Sequence, residues 1–250
     1  MSSQELEYIR SVEIRAPRSR GLAAAAPPRF TSGQQAVVVG SQLCEFSPAI
    51  EPDTRAALSN CLLLAQLAAD KAAGSPPADI RTWHEEYVSA LRKTGWQVMD
   101  GDFQEQAVST DGVVVHKEIL PVITAFLGPA ASAASIVVQM LSSLSAMQQN
   151  TPWITLFQDE SQTLNGAKFQ VSLVEQDDHQ TVSVNLLSVG IEASQRITQV
   201  LFFKASRQTT LLRKASDQLS MLPGTLDIVS AAVAARVKEH LAENVMNIEI

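Results

Sequence analysis

The residues of this sequence best suited to metal binding are four histidines, and their spacing matches no metal motif. A zinc metalloprotease needs two imidazoles one helical turn apart with a glutamate beside the first. The segment HEEYV supplies His84 and Glu85 but places Val88 where the second imidazole should stand. The remaining histidines are far apart in the sequence, at His116, His179 and His240. We therefore predict no metal site.

Nucleophilic catalysis needs a serine or cysteine beside a base, and the sequence has no local signature for it. It contains no GxSxG elbow, Walker loop or GxGxxG dinucleotide loop, and it lacks the strand-helix alternation that carries them. Cys44 could pair with His84, but a buried structural thiol and a surface imidazole fit the pattern better. Cys61, in an apolar helical stretch, is expected to act as a small hydrophobe.

We therefore expect no cofactor and favour a non-catalytic interaction or effector-type protein. The alternative is a small-molecule hydrolase or transferase whose site is assembled from dispersed residues. A cavity that held a histidine with a carboxylate and a serine or cysteine within hydrogen-bond reach would favour that alternative.

The net charge of −7 and the pI near 5.1 argue against nucleic-acid binding, which depends on clustered Lys and Arg. Two cysteines in 250 residues are too few for a disulfide-dense secreted scaffold. The N-terminus MSSQELEYIR lacks the apolar run of a Sec-type signal peptide. Cytoplasmic residence is the expectation, although export by a leaderless route would leave no mark in the sequence.

A long uncharged segment is the most unusual feature: forty consecutive positions between Glu118 and Asp159 carry no Asp, Glu, Lys or Arg. Its pattern predicts a helical hairpin over 116–127 and 130–149, broken at Gly128. On the second helix an apolar stripe faces one way and serines face the other. The stripe comprises Val137, Met140, Leu141, Leu144 and Met147.

Two interpretations of this stripe stay open. It packs inside the protein, or it is a contact site for an apolar partner, either a membrane lipid or a protein. The second includes contact with another copy of the chain, so a homo-oligomer is left open. The helix over 130–149 has too many polar positions for a stable membrane span.

The other elements predict an α+β fold. Residues 1–35, rich in Arg, Ala and Pro, are predicted to form a poorly ordered arm, and 36–250 to form a single domain. AVVVGSQL at 36–43 suits a strand, and apolar periodicity predicts helices over 53–73 and 79–94. Asp79 is the expected N-cap of the second helix, and Trp83 and Tyr87 belong to its core-facing stripe.

From Pro152 onward the pattern changes to strands. Five segments separated by turn residues predict an antiparallel β-meander over 153–215, closed by a helix over 225–244. The segments are WITLF, KFQVSLV, TVSVNLLSV, ITQVLFFKA and TTLLRKA. Gln170 and Ser172 alternate with apolar residues, so we expect one wetter face on that strand, whereas QVLFF looks like a central strand.

Three segments carry a resemblance to a known family: SNCLLLAQLAADK at 59–71, WHEEYVSALRKTGWQV at 83–98 and VLFFKAS at 200–206. Together they resemble a family of uncharacterised microbial proteins, which extends to the Erwinia virulence factor type. The resemblance covers roughly residues 40–220 and implies a small α/β protein associated with bacterial colonisation of insects and with a fatty acid on a cysteine. That cysteine lies in the family's C-terminal half. This chain has no cysteine after Cys61, so no lipid site is carried over.

Overall fold

A computed structural model describes residues 2–18, 30–99, 101–106, 108, 111–128, 131, 134–148, 150–164, 166–194, 197, 199–206, 208–222 and 224–248. Within these ranges the α-helices are α1 (Ser2–Ser11), α2 (Pro52–Ala73), α3 (Ile80–Lys93), α4 (Val115–Leu127), α5 (Ile136–Ser143), α6 (Pro152–Ser161), α7 (Thr225–Val237) and α8 (Leu241–Asn244). Short 3-10 helices cover Leu144–Ala146, Val200–Phe202 and Lys238–His240.

The strands are β1 (Ala36–Val39), β2 (Gln42–Phe46), β3 (Gln97–Met99), β4 (Gln104–Gln106), β5 (Val113–Val114), β6 (Gln162–Thr163), β7 (Gly166–Gln176), β8 (Val182–Ala193), β9 (Lys204–Ala205), β10 (Thr210–Met221) and β11 (Val245–Asn247). The main sheet runs in the order β11-β1-β2-β7-β8-β10-β3, and β5 pairs with β9 apart from it. Its neighbouring strands are antiparallel except β2 and β7, which are parallel. A parallel pair needs a long crossover, and all of the chain from α2 to β6 lies between these two strands.

Helices cover both faces of the sheet. Successive residues of a strand point to opposite faces, so neighbouring residues of β8 pack in different cores. On β8, Leu186 packs in a core with residues of α2, α3 and α7. The next residue, Leu187, packs in a second core with residues of α4, α5 and α6. The molecule is therefore a helix layer, a mixed sheet and a second helix layer, which we call the α2–α3 layer and the α4–α5 layer.

The α+β class is confirmed, and several helices begin where the sequence placed them. Asp79 caps α3 by accepting hydrogen bonds from the backbone N–H groups of Arg81 and Thr82 at 3.2 and 3.1 Å. Trp83 and Tyr87 are buried in the core as expected. The second helix of the hairpin is shorter than predicted, because α5 begins at Ile136 and passes into a 3-10 turn after Ser143. Residues 129–130, 132–133 and 149 of that prediction lie outside the described residues.

Two of the predicted strands are wrong. WITLF lies in α6, where Pro152 occupies the first turn and Trp153 and Phe157 are buried one turn apart. A short apolar run fits a buried helix as well as a strand, and proline is favoured at the first position of a helix. QVLFF forms a 3-10 turn instead of a central strand, with Val200 and Leu201 buried.

The N-terminal region also differs from the predicted arm. Residues 2–11 form α1, whose Ile9 is fully buried in the core beside the α2–α3 layer. Farther along, the backbone N–H of Arg15 donates to the carbonyl of Leu67 at 3.0 Å. Residues 19–29 of the predicted arm lie outside the described residues.

Candidate functional site

The apolar stripe predicted to meet a partner lies on the inner side of the α4–α5 layer. Val137, Met140, Leu141 and Leu144 are at most 1% exposed, and Met147 packs against the same core, which includes strand residues of β7 and β8. In this conformation the stripe is core. A partner could reach it only after the layer separated from the sheet.

After Lys117 on α4, the outer side of the α4–α5 layer is exposed and carries no charge up to residue 148 where the structure describes it. On α4 the exposed positions after Lys117 are Pro121 and Ala125, and on α5 they include Gln139 and Ser142. Between them lie half-buried apolar side chains, namely Leu120, Val122, Phe126, Leu127 and Val138. Neither face of this layer therefore carries charge between residues 119 and 148 where the structure describes it.

In the α2–α3 layer, α3 carries charged residues on its exposed face, as surface helices usually do. The outer face of α3 is charged, and its exposed positions include Arg81, Glu85, Glu86, Arg92 and Lys93. An amphipathic surface helix normally places charged residues on the face opposite the core. The two layers cover the same sheet but differ in this respect, so the absence of charge is particular to the α4–α5 layer.

One carboxylate from the sheet caps α5. Glu45 on β2 accepts hydrogen bonds from the Ser135 hydroxyl at 2.6 Å and from the backbone N–H groups of Ile136 and Val137 at 3.0 Å each. Glu45 is only 8% exposed. A carboxylate at a helix N-terminus satisfies unpaired N–H groups and interacts favourably with the helix dipole.

A row of polar side chains crosses the other face of the sheet, between β7 and the α2–α3 layer. The strand register sets Gln42 and Ser188 on either side of Gln170. Gln42 Nε2 donates to Ser172 Oγ at 2.7 Å, and Gln170 Nε2 donates to Ser188 Oγ at 3.2 Å. The prediction of a wetter face on β7 is wrong, because helices cover these side chains and the polar groups bond to one another.

At one end of this row Lys168 is fully buried. Its Nζ donates to Ser41 Oγ at 3.1 Å, lies 3.6 Å from an Asp70 carboxylate oxygen, and sits 3.8 Å from the centre of the Trp83 ring. Burial lowers the pKa of Lys168, and the carboxylates of Asp70 and Glu160 oppose that shift. The cation is therefore held by an acidic and aromatic pocket inside the protein.

At the other end three side chains stand in the order serine, histidine, aspartate. Ser188 Oγ lies 3.3 Å from His84 Nδ1, and His84 Nε2 lies 3.5 Å from Asp217 Oδ1. Asp217 Oδ1 also accepts the backbone N–H of Gly101 at 3.1 Å. All three side chains are buried, so the expectation of a surface imidazole at His84 is wrong.

A cavity of about 250 Å³ reaches this group. It is lined by Arg81, His84, Glu85, Gly101, Asp102 and Phe103. His84 is thus the member of the row that faces the cavity, and the Phe103 ring stands edge-on to the imidazole at 5.1 Å between centres.

Both thiols are packed in the core beside the α2–α3 layer. Cys44 and Cys61 are fully buried, and burial raises the pKa of each to about 12. A thiol of that pKa is protonated at neutral pH and is a poor nucleophile. Across the residues that the structure describes, no three His, Cys, Asp or Glu side chains are grouped to hold a metal ion. Within the same residues, no helix is long and apolar enough to cross a bilayer.

Comparisons with known proteins give a weak structural likeness. No protein-family model matches the sequence, and no curated protein matches it. Among solved structures, the activated Cyt2Ba monomer from Bacillus thuringiensis subsp. israelensis is 13% identical, with a TM-score of 0.38, over 72% of this chain and 96% of that one. A delta-endotoxin is 15% identical, with a TM-score of 0.37, over 86% and 94%.

The Evf virulence factor is 12% identical, with a TM-score of 0.34, over 99% of this chain and 91% of that chain. The resemblance noted from the sequence is therefore matched by a weak likeness in structure. No residue role is carried over from these proteins.

Proposed function

We propose that this protein is a non-catalytic, effector-type protein that binds a lipid surface through its α4–α5 layer. The observation that supports the proposal is the contrast between the two layers of one fold: the outer face of α3 is charged, whereas the described residues between 119 and 148 in the α4–α5 layer carry no charge on either face. Moving a charged side chain toward the bilayer centre costs about 2.5–3.5 kcal/mol on insertion scales. The segment 119–148 carries no charge that would oppose entry of either face into the bilayer, whereas the exposed charges of α3 would oppose entry of its outer face.

The helices of the layer are too short to span a bilayer, so a membrane contact would place them in its interface. α4 has 13 residues, which at about 1.5 Å per residue gives a length near 20 Å. Interfacial helices bury an apolar face at the boundary of headgroups and acyl chains. If the layer swings outward, Val137, Met140, Leu141 and Leu144 would supply that face.

Flotation with liposomes tests the proposal, using neutral phosphatidylcholine vesicles and vesicles that also contain phosphatidylglycerol. We expect wild type to float. The variant Gln139→Glu/Ser143→Glu adds two charges to the exposed face of α5, which the closed layer presents to the bilayer before it opens, and should weaken binding. Its matched control is Ala231→Glu/Ala235→Glu, which adds the same charges one turn apart on the exposed face of α7 and should float like wild type.

A second variant tests the inner face. Val137→Asp/Leu144→Asp should fail to float even where circular dichroism shows that it folds. If wild type binds no vesicle and stays monomeric, the layer is plain core and the proposal is wrong. If it binds no vesicle but self-associates, and Gln139→Glu/Ser143→Glu abolishes that association, then the apolar partner is a second copy of the chain.

The serine, histidine and aspartate beside the cavity favour a second candidate, a small-molecule hydrolase. In such a reaction Ser188 Oγ would attack a carbonyl carbon and pass its proton to His84, with Asp217 stabilising the imidazolium. The leaving group would take that proton, and water would then release the acyl group. The cavity is lined by His84 and not by the buried Ser188, so a substrate would reach Ser188 only after a local rearrangement.

A fluorophosphonate probe separates this candidate from the first. A hydrolase should be labelled at Ser188, and Ser188→Ala should abolish labelling. Ser183→Ala, at an exposed position of the same strand, is the control. If wild type remains unlabelled, the row is a structural hydrogen-bond relay.

A further inference from the structure

Glu45 holds the start of α5 with three hydrogen bonds, and it does so across a long stretch of sequence. Its Oε2 accepts from Ser135 Oγ and from the N–H of Val137, while its Oε1 accepts from the N–H of Ile136. Glu45 and Ser135 are 90 positions apart. Among the described residues, the hydrogen bonds from this helix start to the sheet all end on Glu45.

The charge of the carboxylate matters because α5 has none of its own. Hydrogen bonds to an ionised acceptor are shorter and about twice as strong as neutral ones, and the helix dipole adds to them within the first turn. The rest of the α5 attachment is apolar packing, in which Val137, Met140 and Leu141 meet the core. Apolar packing exchanges readily for lipid contact, but a buried carboxylate bonded to the helix start does not.

We infer that Glu45 is a latch that keeps the α4–α5 layer closed and thereby controls the proposed lipid binding. This inference rests on the proposed function. While the carboxylate accepts its three hydrogen bonds, α5 stays on the sheet. When those bonds are lost, α5 can leave, which exposes its inner face together with the sheet residues beneath it.

Glu45→Gln removes the charge and keeps the shape. The amide still offers one acceptor oxygen, but its NH₂ group faces donor N–H groups, so at least one charge-assisted hydrogen bond is lost. Loss of one charge-assisted hydrogen bond should raise the fraction of molecules in which α5 has left the sheet roughly tenfold or more. Hydrogen exchange of the amides in 136–143, measured without lipid, should accelerate by that factor, while the amides of α2 and β8 should keep their wild-type rates.

Two further variants keep the test decisive. Glu175→Gln removes the same charge from an exposed position on β7 and should leave exchange unchanged. Ser135→Ala removes one of the three donors and should produce a smaller effect in the same direction, which serves if Glu45→Gln is too unstable to study. Equal acceleration throughout the protein, or none in 136–143, would overturn the latch.

Flotation distinguishes failure of the latch from failure of the proposed function. We expect Glu45→Gln to bind vesicles at a lipid concentration several-fold lower than wild type needs. If exchange in 136–143 accelerates but wild type and variant float equally, Glu45 does not control binding and the inference is wrong. If neither protein floats at any lipid concentration, the proposed function fails instead.

Discussion

Replacing Arg15 by methionine should destabilise the fold strongly, because its guanidinium joins groups from three elements. Arg15 Nη1 donates to Glu160 Oε2 on α6 at 2.8 Å and lies 3.2 Å from Asp70 Oδ2 on α2. Arg15 Nη2 donates to Asn244 Oδ1 on α8 at 2.9 Å. The Glu160 and Asp70 side chains are 4% and 8% exposed, so neither carboxylate can turn to water without rearrangement.

The size of the loss depends on the partners that the Asp70 and Glu160 carboxylates retain after Arg15 is removed. Removing one partner of a buried ion pair typically costs about 3–5 kcal/mol. Here Asp70 keeps the indole N–H of Trp83 at 2.7 Å and the Lys168 ammonium at 3.6 Å, and Glu160 keeps Arg18 at 3.0 Å. These partners compensate in part, so we expect a loss of about 2–3 kcal/mol, or a fall in Tm of about 5–10 °C for a chain of this size.

Urea unfolding followed by circular dichroism measures this loss. Arg10→Met is the matched control, since Arg10 is exposed on α1 and its removal should change stability by less than about 0.5 kcal/mol. A double-mutant cycle of Arg15→Met with Glu160→Gln should give a coupling energy of about 1–2 kcal/mol. If Arg15→Met is no worse than Arg10→Met, or if the coupling is near zero, the ion network does not stabilise the fold and our reasoning is refuted.

Three other predictions concern separate parts of the chain. Burial alone would raise the pKa of Asp79, but hydrogen bonds from the first turn of α3 outweigh it and lower the pKa below its ordinary value of 3.8; the cap therefore stabilises above that value and loses its effect as pH falls through the lower folded pKa. Asp79→Ala should cost about 1 kcal/mol at pH 6, and its urea curve should converge with that of wild type in acid. Cys44 and Cys61 should not react with a thiol reagent at pH 8 in the native protein and should both react in guanidinium; rapid native labelling of either would show that it is accessible. Gly166→Ala places a methyl group against a backbone carbonyl of β8, so we expect a loss of about 2 kcal/mol or more in thermal unfolding, and an unchanged Tm would mean that β7 and β8 separate easily there.

Much of the helical structure could be predicted because its signals are local. α3 has its cap at Asp79, its apolar stripe and its basic last turn within one continuous segment. The strands β7, β8 and β10 follow from alternation and short turns in the same way. α6 was missed because its apolar run is too short to distinguish a helix from a strand, and Pro152 indicates either the end of one element or the start of the next.

The polar row on β7 shows a different limit. A period of two predicts that Gln170 and Ser172 share a face, and this was correct. The period does not state whether that face meets water or a second layer that supplies partners. Gln170 bonds to Ser188, and Ser188 lies beside His84, which is 104 positions away in sequence. The sequence does contain a polar residue on each neighbouring strand, Gln42 on β2 and Ser188 on β8. These residues predict contact with Gln170 only when the strand register is known.

The sequence by itself determined where charge is absent, where α2, α3 and α7 begin and which residues share a side of each element, since these depend on residues a few positions apart. Only the tertiary structure decided that the stripe from Val137 to Leu144 faces the core and that Glu45 caps α5. The same holds for the meeting of Ser188, His84 and Asp217 beside a cavity. The reason is physical: these contacts join segments that are distant in sequence, and their geometry is set by the packing of both helix layers on one sheet.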